Sequence, residues 1–177
     1  MDRTALVVGV TGIGGGNAAN ALLERGFGVV GLSRSVREPI PGVDHVHADV
    51  LDVESVEQAV RGRNITDLVF TTWQRQATEA ENIRVNGAML SNTLQALSRT
   101  TELQHAVLVT GLKHYLGPFE AYAKAPAETP FRESQARLPF DNFYYVQEDI
   151  LFDAAAQQGF SCAAAATRSR GAWAPGS

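Results

Sequence analysis

The sequence is nearly free of cysteine: Cys162 is the one thiol in 177 residues. That excludes an internal disulfide and a cysteine-built metal cluster. A basic excess is also missing. The net charge of -4 and a pI near 5.5 argue against a nucleic-acid partner, whose binding depends on a broad positive surface. No apolar run is long enough to span a bilayer, so no membrane partner is expected. The N-terminus runs straight into a glycine turn rather than through a cleavable leader. A reducing, cytoplasmic setting follows as the expectation. The hydrophobic share of 45% suffices for one domain with a sizeable core.

What the chain does have is concentrated near its start. Leu6, Val7 and Val8 form an apolar, β-branched run suited to a strand buried on both faces. The run breaks at Gly9-Val10-Thr11-Gly12-Ile13-Gly14-Gly15-Gly16 and resumes at Ala18 as a helical stretch closed by Gly26. Gly9, Gly12 and Gly15 are spaced G-x-x-G-x-x-G. A strand, a glycine turn and a helix in that order bring backbone N–H groups and a helix N-terminus to a pyrophosphate. Gly9, Thr11, Gly12, Ile13, Gly14 and Gly15 are therefore the expected dinucleotide contacts.

The second strand, Gly28 to Leu32, ends in Ser33-Arg34-Ser35 where an NAD-preferring site would carry a carboxylate. Arginine pairs with a 2′-phosphate and serine hydroxyls add hydrogen bonds, which favours NADP(H). The competing reading is a solvated basic loop. A third strand, Val43 to Ala48, leads to Asp49 and Val50 at the sheet edge, either beneath an adenine ring or as plain turn residues. Asp52 is placed to cap a helix from Val53. The fourth strand, Asp67 to Thr72, is followed by Trp73, either a lid on the core or a wall of the cofactor cleft.

A long helix is expected over Thr78 to Ser98, with Ile83, Leu90, Leu94 and Leu97 on its apolar face. Asn86 reads as a polar helix position, or alternatively as a group holding a water or a carbonyl near the site. Glu79, Glu81 and Arg84 read as a solvated charge face. A fifth strand ends in Thr110-Gly111-Leu112-Lys113-His114-Tyr115, where Thr110 and Gly111 are expected on the coenzyme. Lys113 is then either a cation beside the nicotinamide or a surface lysine. Residues 117–139 look like an excursion over the cleft. Asp141 or Asn142 caps a further helix carrying Tyr144 and Tyr145.

Val8-Gly9-Val10-Thr11-Gly12-Ile13, Thr72-Trp73, Thr110-Gly111-Leu112-Lys113-His114-Tyr115-Leu116-Gly117-Pro118-Phe119-Glu120 and Asn142-Phe143-Tyr144-Tyr145 with Glu148-Asp149-Ile150-Leu151 resemble the progesterone 5β-reductase and iridoid synthase-like proteins. These are a branch of the extended short-chain dehydrogenase/reductases, with epimerase/dehydratase-like relatives. The resemblance runs from the first strand to about Ser161. It implies an α/β fold, a doubly wound parallel sheet in three α/β/α layers, to which family members add a smaller substrate domain. It further implies NADPH-dependent reduction of the C=C bond of a small enone-type carbonyl substrate. The implied catalytic residues are Lys113 and Tyr144, with Tyr145 as the fallback. Asp49 and Val50 match the adenine contact, Thr72 and Trp73 the cofactor wall, and Arg34 one of two 2′-phosphate residues, Ser35 standing in place of the second. Glu148 stands four residues after Tyr144, so the ordinary Tyr-x-x-x-Lys pair is missing.

Members of that family are about twice this length, so the substrate domain is expected to be missing and the activity of this chain reduced or lost. A Rossmann domain is expected over residues 1–161 and an aberrant tail over 162–177. In the tail, four alanines followed by alternating arginines make a poor buried strand. A compensated double frameshift over Cys162 to Ala172 accounts for it, and a lineage-specific tail is the alternative. Two other functions remain open at this point: a nucleotide-sugar epimerase or dehydratase, disfavoured by the missing Tyr-x-x-x-Lys pair, and a non-catalytic NADP(H) sensor.

Overall fold

The computed structural model describes residues 3–35, 38–117 and 130–167. Among these residues six strands lie in one parallel sheet: β1 (Thr4–Val8), β2 (Gly28–Ser33), β3 (Val43–His47), β4 (Asp67–Phe70), β5 (His105–Gly111) and β6 (Ser161–Thr167). Their order is β3-β2-β1-β4-β5-β6, with every pairing parallel. The chain winds outward from β1 to β3, returns, and winds outward again to β6. That reversal beside β1 is the point where ligands gather in a doubly wound sheet.

Among the described residues, five helices connect the strands: α1 (Ile13–Glu24), α2 (Val53–Val60), α3 (Glu79–Thr100), α4 (Lys113–Leu116) and α5 (Phe143–Gln158). Alternation along β1 divides the core. Val7 packs with Ala19 of α1, whereas Leu6 and Val8 join Val56 of α2, Leu90 and Leu94 of α3 and Leu151 of α5. Side chains two residues apart share a sheet face, so α1 covers one face and the other three long helices cover the opposite one. This is the expected three-layer Rossmann arrangement.

The helix starts follow local chemistry. The Asp52 carboxylate accepts from the backbone N–H groups of Glu54 and Ser55. Thr78 Oγ1 accepts from Glu81 N, and Asn142 Oδ1 accepts from Tyr144 N. Each cap satisfies a donor that the first turn leaves unpaired. Of the two caps weighed for α5, Asn142 is the one used.

β6 carries the sheet past the boundary expected at Ser161, pairing with β5 from Ser161 opposite His105 to Thr167 opposite Gly111. Parallel pairing is a property of the backbone, so small side chains do not prevent it at an edge position. Ala163, Ala164 and Ala165 are exposed, and the strand is held by its ladder and by Ser161, whose N–H donates to Gln104 O. Residues 168–177 of the expected tail lie outside the described residues, as do 118–120 of the Lys113 motif.

Candidate functional site

The glycine turn is built so that larger residues would not fit. Gly9 has φ +84°, and a Cβ there would stand 2.9 Å from Thr71 Oγ1 and from Thr72 Cβ. A Cβ on Gly15 would lie 2.2 Å from Gly9 O. The first turn of α1 therefore sits directly on the end of β1. Gly12 is the N-cap of α1 and contributes no side-chain hydrogen bond. Toward solvent the turn is open: Ile13 is 89% exposed, and the nearest atom to a Cβ on Gly14 would be 4.0 Å away. A tight inner side and an open helix N-terminus fit a dinucleotide pyrophosphate.

Beside this turn lies a cavity of about 160 Å³ at the carboxyl ends of β1 to β3. Gly9 and Thr11 line it from the turn, Ser33, Arg34 and Ser35 from the end of β2, and Asp49 and Val50 from the end of β3. Thr72 and Trp73 close it on the β4 side. Asp49 is both a turn residue and a wall residue: Oδ1 accepts from Leu51 N at 3.0 Å, and the residue still faces the cavity. Ser33 Oγ donates to Ser35 O at 3.0 Å, which fixes the backbone of the loop bearing Arg34. Thr110 and Gly111 line neither this cavity nor the next. Thr110 is buried, and Gly111 lies against Tyr144, whose phenolic oxygen would be 3.1 Å from a Cβ at that position.

A second cavity, about 170 Å³, brings Lys113 and Tyr144 together with Glu79 and Phe143, and shares Trp73 with the first. Lys113 is 8% exposed, which removes the surface-lysine reading. Its ammonium is paired with Glu79 Oε2 and stands 4.9 Å from the centroid of the Phe143 ring. Burial raises the Glu79 carboxyl, but hydrogen bonds from Lys113, Asn82 and the Phe143 N–H outweigh it and hold the group below the usual carboxylate value. Only Glu81 and Arg84 of the expected charge face form a solvated pair; Glu79 turns inward.

Tyr145 is spent elsewhere. Its hydroxyl donates to His114 O at 2.6 Å and accepts from Leu138 N at 3.0 Å. Tyr145 does not line the second cavity; its oxygen holds α4 and the segment before α5. Glu148, in the place of the ordinary lysine, accepts from Arg137 Nη2 at 3.0 Å and contacts His114 Nδ1 at 3.1 Å. It anchors the same segment.

Trp73 is fixed from behind. Asn86 is fully buried; its Oδ1 accepts from Gln74 N at 2.7 Å and its Nδ2 donates to Gln74 O at 2.8 Å. The side-chain amide thus pairs with an irregular segment as a neighbouring strand would, and the carbonyl-holding alternative for Asn86 is the one realised. Trp73 stacks on Phe143, with ring centroids 5.7 Å apart.

The model of the NAD dependent epimerase/dehydratase family matches residues 5–164. The chain belongs to this family. Its sequence is similar to the 3-oxo-Delta(4,5)-steroid 5-beta-reductase of Arabidopsis thaliana. Identity is 36% over 163 residues, covering 86% of this chain and 42% of that protein. It is also similar to the (S)-8-oxocitronellyl enol synthase ISY1 of Nepeta cataria, at 40% identity with the same coverage. The chain thus spans about two fifths of the length of the curated relatives it matches. Among solved structures, the UDP-glucose 4-epimerase of Thermus thermophilus in complex with NAD superposes with a TM-score of 0.74 at 22% identity. It covers 92% of this chain and 54% of that one. The WbmH enzyme of Bordetella bronchiseptica in complex with NAD+ gives 0.68 at 20% identity, covering 94% and 56%. At that identity these two structures establish the fold alone. Among the described residues no helix is long and apolar enough to cross a membrane.

Proposed function

We propose that this chain is the coenzyme-binding portion of an NADP(H)-dependent reductase that acts on the C=C bond of an enone-type carbonyl substrate. One observation carries the reading: Lys113 and Tyr144 line a single cavity, and that cavity shares Trp73 with the cleft beside the glycine turn. The similarity to a steroid 5-beta-reductase and an enol synthase supports the substrate class.

The inner glycines and the open start of α1 would hold the pyrophosphate. Arg34, with Ser35 beside it, would take the 2′-phosphate, a charge-assisted contact that an NAD ribose does not offer. Asp49 and Val50 would border the adenine. When bound, the coenzyme supplies hydride. The protein's own part is at the substrate carbonyl oxygen, on which negative charge builds as the conjugated double bond is reduced. The Tyr144 hydroxyl and the Lys113 ammonium would donate to that oxygen. Donors held in place before reaction are worth about 3–4 kcal/mol each. Burial of Lys113 strengthens its attraction for that developing charge.

Two measurements test this. Titration of the chain with NADPH and NADH should show tighter NADPH binding, and Arg34→Ala should weaken NADPH by about tenfold or more while leaving NADH nearly unchanged. In a version completed with the remainder of the reductase, Lys113→Met or Tyr144→Phe should lower kcat for a simple enone by about a hundredfold or more, with coenzyme affinity retained. Full activity in either variant refutes the assignment.

A further inference from the structure

The second cavity contains a carboxylate that the proposed chemistry leaves without a role. We infer that Glu79 is a positioning residue, a single carboxylate that fixes the Lys113 ammonium with one oxygen and the start of α5, which bears Tyr144, with the other. The inference rests on the reading of Lys113 and Tyr144 given above.

Glu79 is the first residue of α3, where the helix N-terminus favours negative charge. Oε2 accepts from Lys113 Nζ and, at 3.0 Å, from Asn82 Nδ2. Oε1 accepts from the backbone N–H of Phe143 at 2.9 Å. Phe143 immediately precedes Tyr144, so the second oxygen holds the turn from which the phenol projects. Asn142 completes the link, because its Nδ2 donates to Lys113 O at 3.1 Å while its Oδ1 caps Tyr144 N. Three elements distant in sequence, the starts of α3, α4 and α5, therefore meet at one side chain. Their arrangement sets the spacing between an ammonium on α4 and a hydroxyl on α5.

A neutral amide at position 79 can still accept from Phe143 N but loses the charge that retains a buried ammonium. Lys113 would then lose its partner and turn toward solvent. A carboxylate that served only to stabilise the start of α3 would have no such effect on Lys113.

Lys113 and Lys124 are the two lysines of the sequence, so amine chemistry reads Lys113 with Lys124 as its internal reference. A zero-length carbodiimide applied to the unaltered chain should yield a Glu79–Lys113 isopeptide link, identified by peptide mass spectrometry. Amine acylation should label Lys113 relative to Lys124 at least about fivefold faster in Glu79→Gln than in the parent. In the completed reductase, Glu79→Gln should lower kcat with KM and coenzyme affinity little changed, and Glu79→Asp should restore part of the loss.

No cross-link in the parent chain overturns the inference even if Glu79→Gln fails to fold. An unchanged labelling ratio in a folded Glu79→Gln does the same, as does an unchanged kcat in a reductase that Lys113→Met disables. A cross-link together with undiminished turnover of Lys113→Met removes the catalytic reading instead and leaves the clamp standing as a structural contact.

Discussion

Gly15→Ala should destabilise the chain, and Gly14→Ala, one residue away in the same helix turn, should not. The new methyl carbon at Gly15 would meet Gly9 O at 2.2 Å, Gly9 C at 2.7 Å and Val10 Cα at 2.8 Å. Ordinary carbon contacts lie near 3.5–4.0 Å, so α1 and the turn would have to part by about 1 Å. All three atoms are backbone, so no rotamer relieves the clash. Overpacking of this kind costs about 1–3 kcal/mol, against a gain of about 0.5–1 kcal/mol for replacing a helical glycine by alanine. At Gly14 the nearest atom is Thr71 Cβ at 4.0 Å, so only the gain applies. Because that gain is common to both, Gly15→Ala should be less stable than Gly14→Ala by about 1–3 kcal/mol. Urea unfolding followed by far-ultraviolet circular dichroism measures this as a shift of midpoint at constant slope. A Gly15→Ala chain as stable as the parent would refute the close approach of α1 to β1, and with it the shape of the phosphate cradle.

Asn86→Leu should cost about 2 kcal/mol, because the N–H and C=O of half-buried Gln74 lose their partners and each costs about 1 kcal/mol, the low end of the range for unpaired groups; an unchanged unfolding midpoint would remove Asn86 as the support of the Trp73 segment. Because the Glu79 carboxyl is held below its usual value, its stabilising contribution is present in full above the unfolded-state value, about pH 4–5. It is lost as pH falls through the lowered folded-state value. The stability gap between the parent and Glu79→Gln should accordingly be level from pH 7 to about pH 5 and close in acid. A gap that stays constant in urea titrations down to about pH 3 would count against the pairing.

Local signals were readable from the residues in order. The apolar β1 run, the glycine turn, Asp52 before α2 and Asn142 before α5 are each decided within a few positions of chain. The family resemblance chose the catalytic reading of Lys113 and preferred Tyr144 to Tyr145, and geometry brings Lys113 and Tyr144 to one cavity. What stayed hidden was set by distance along the chain. Glu79 reads as surface charge because it opens a polar helix turn, yet its partners Lys113 and Phe143 are 34 and 64 residues away. Asn86 pairs with the irregular segment at Gln74, which has no periodicity to mark it. Tyr144 and Tyr145 are equivalent as letters, and only the turn of about 100° per residue in a helix sends one to the cavity and the other to His114. The alanines of β6 look unfit for a strand because propensity describes packed side chains, whereas an edge strand is held by its ladder.

The indole of Trp73 is a party wall between two chambers. Any molecule that tilts it to widen one chamber narrows the other, so entry of the first guest alters the welcome offered to the second. Thermodynamic reciprocity then requires that the influence run equally in both directions. The stacking of that ring on Phe143 sets how readily the wall gives.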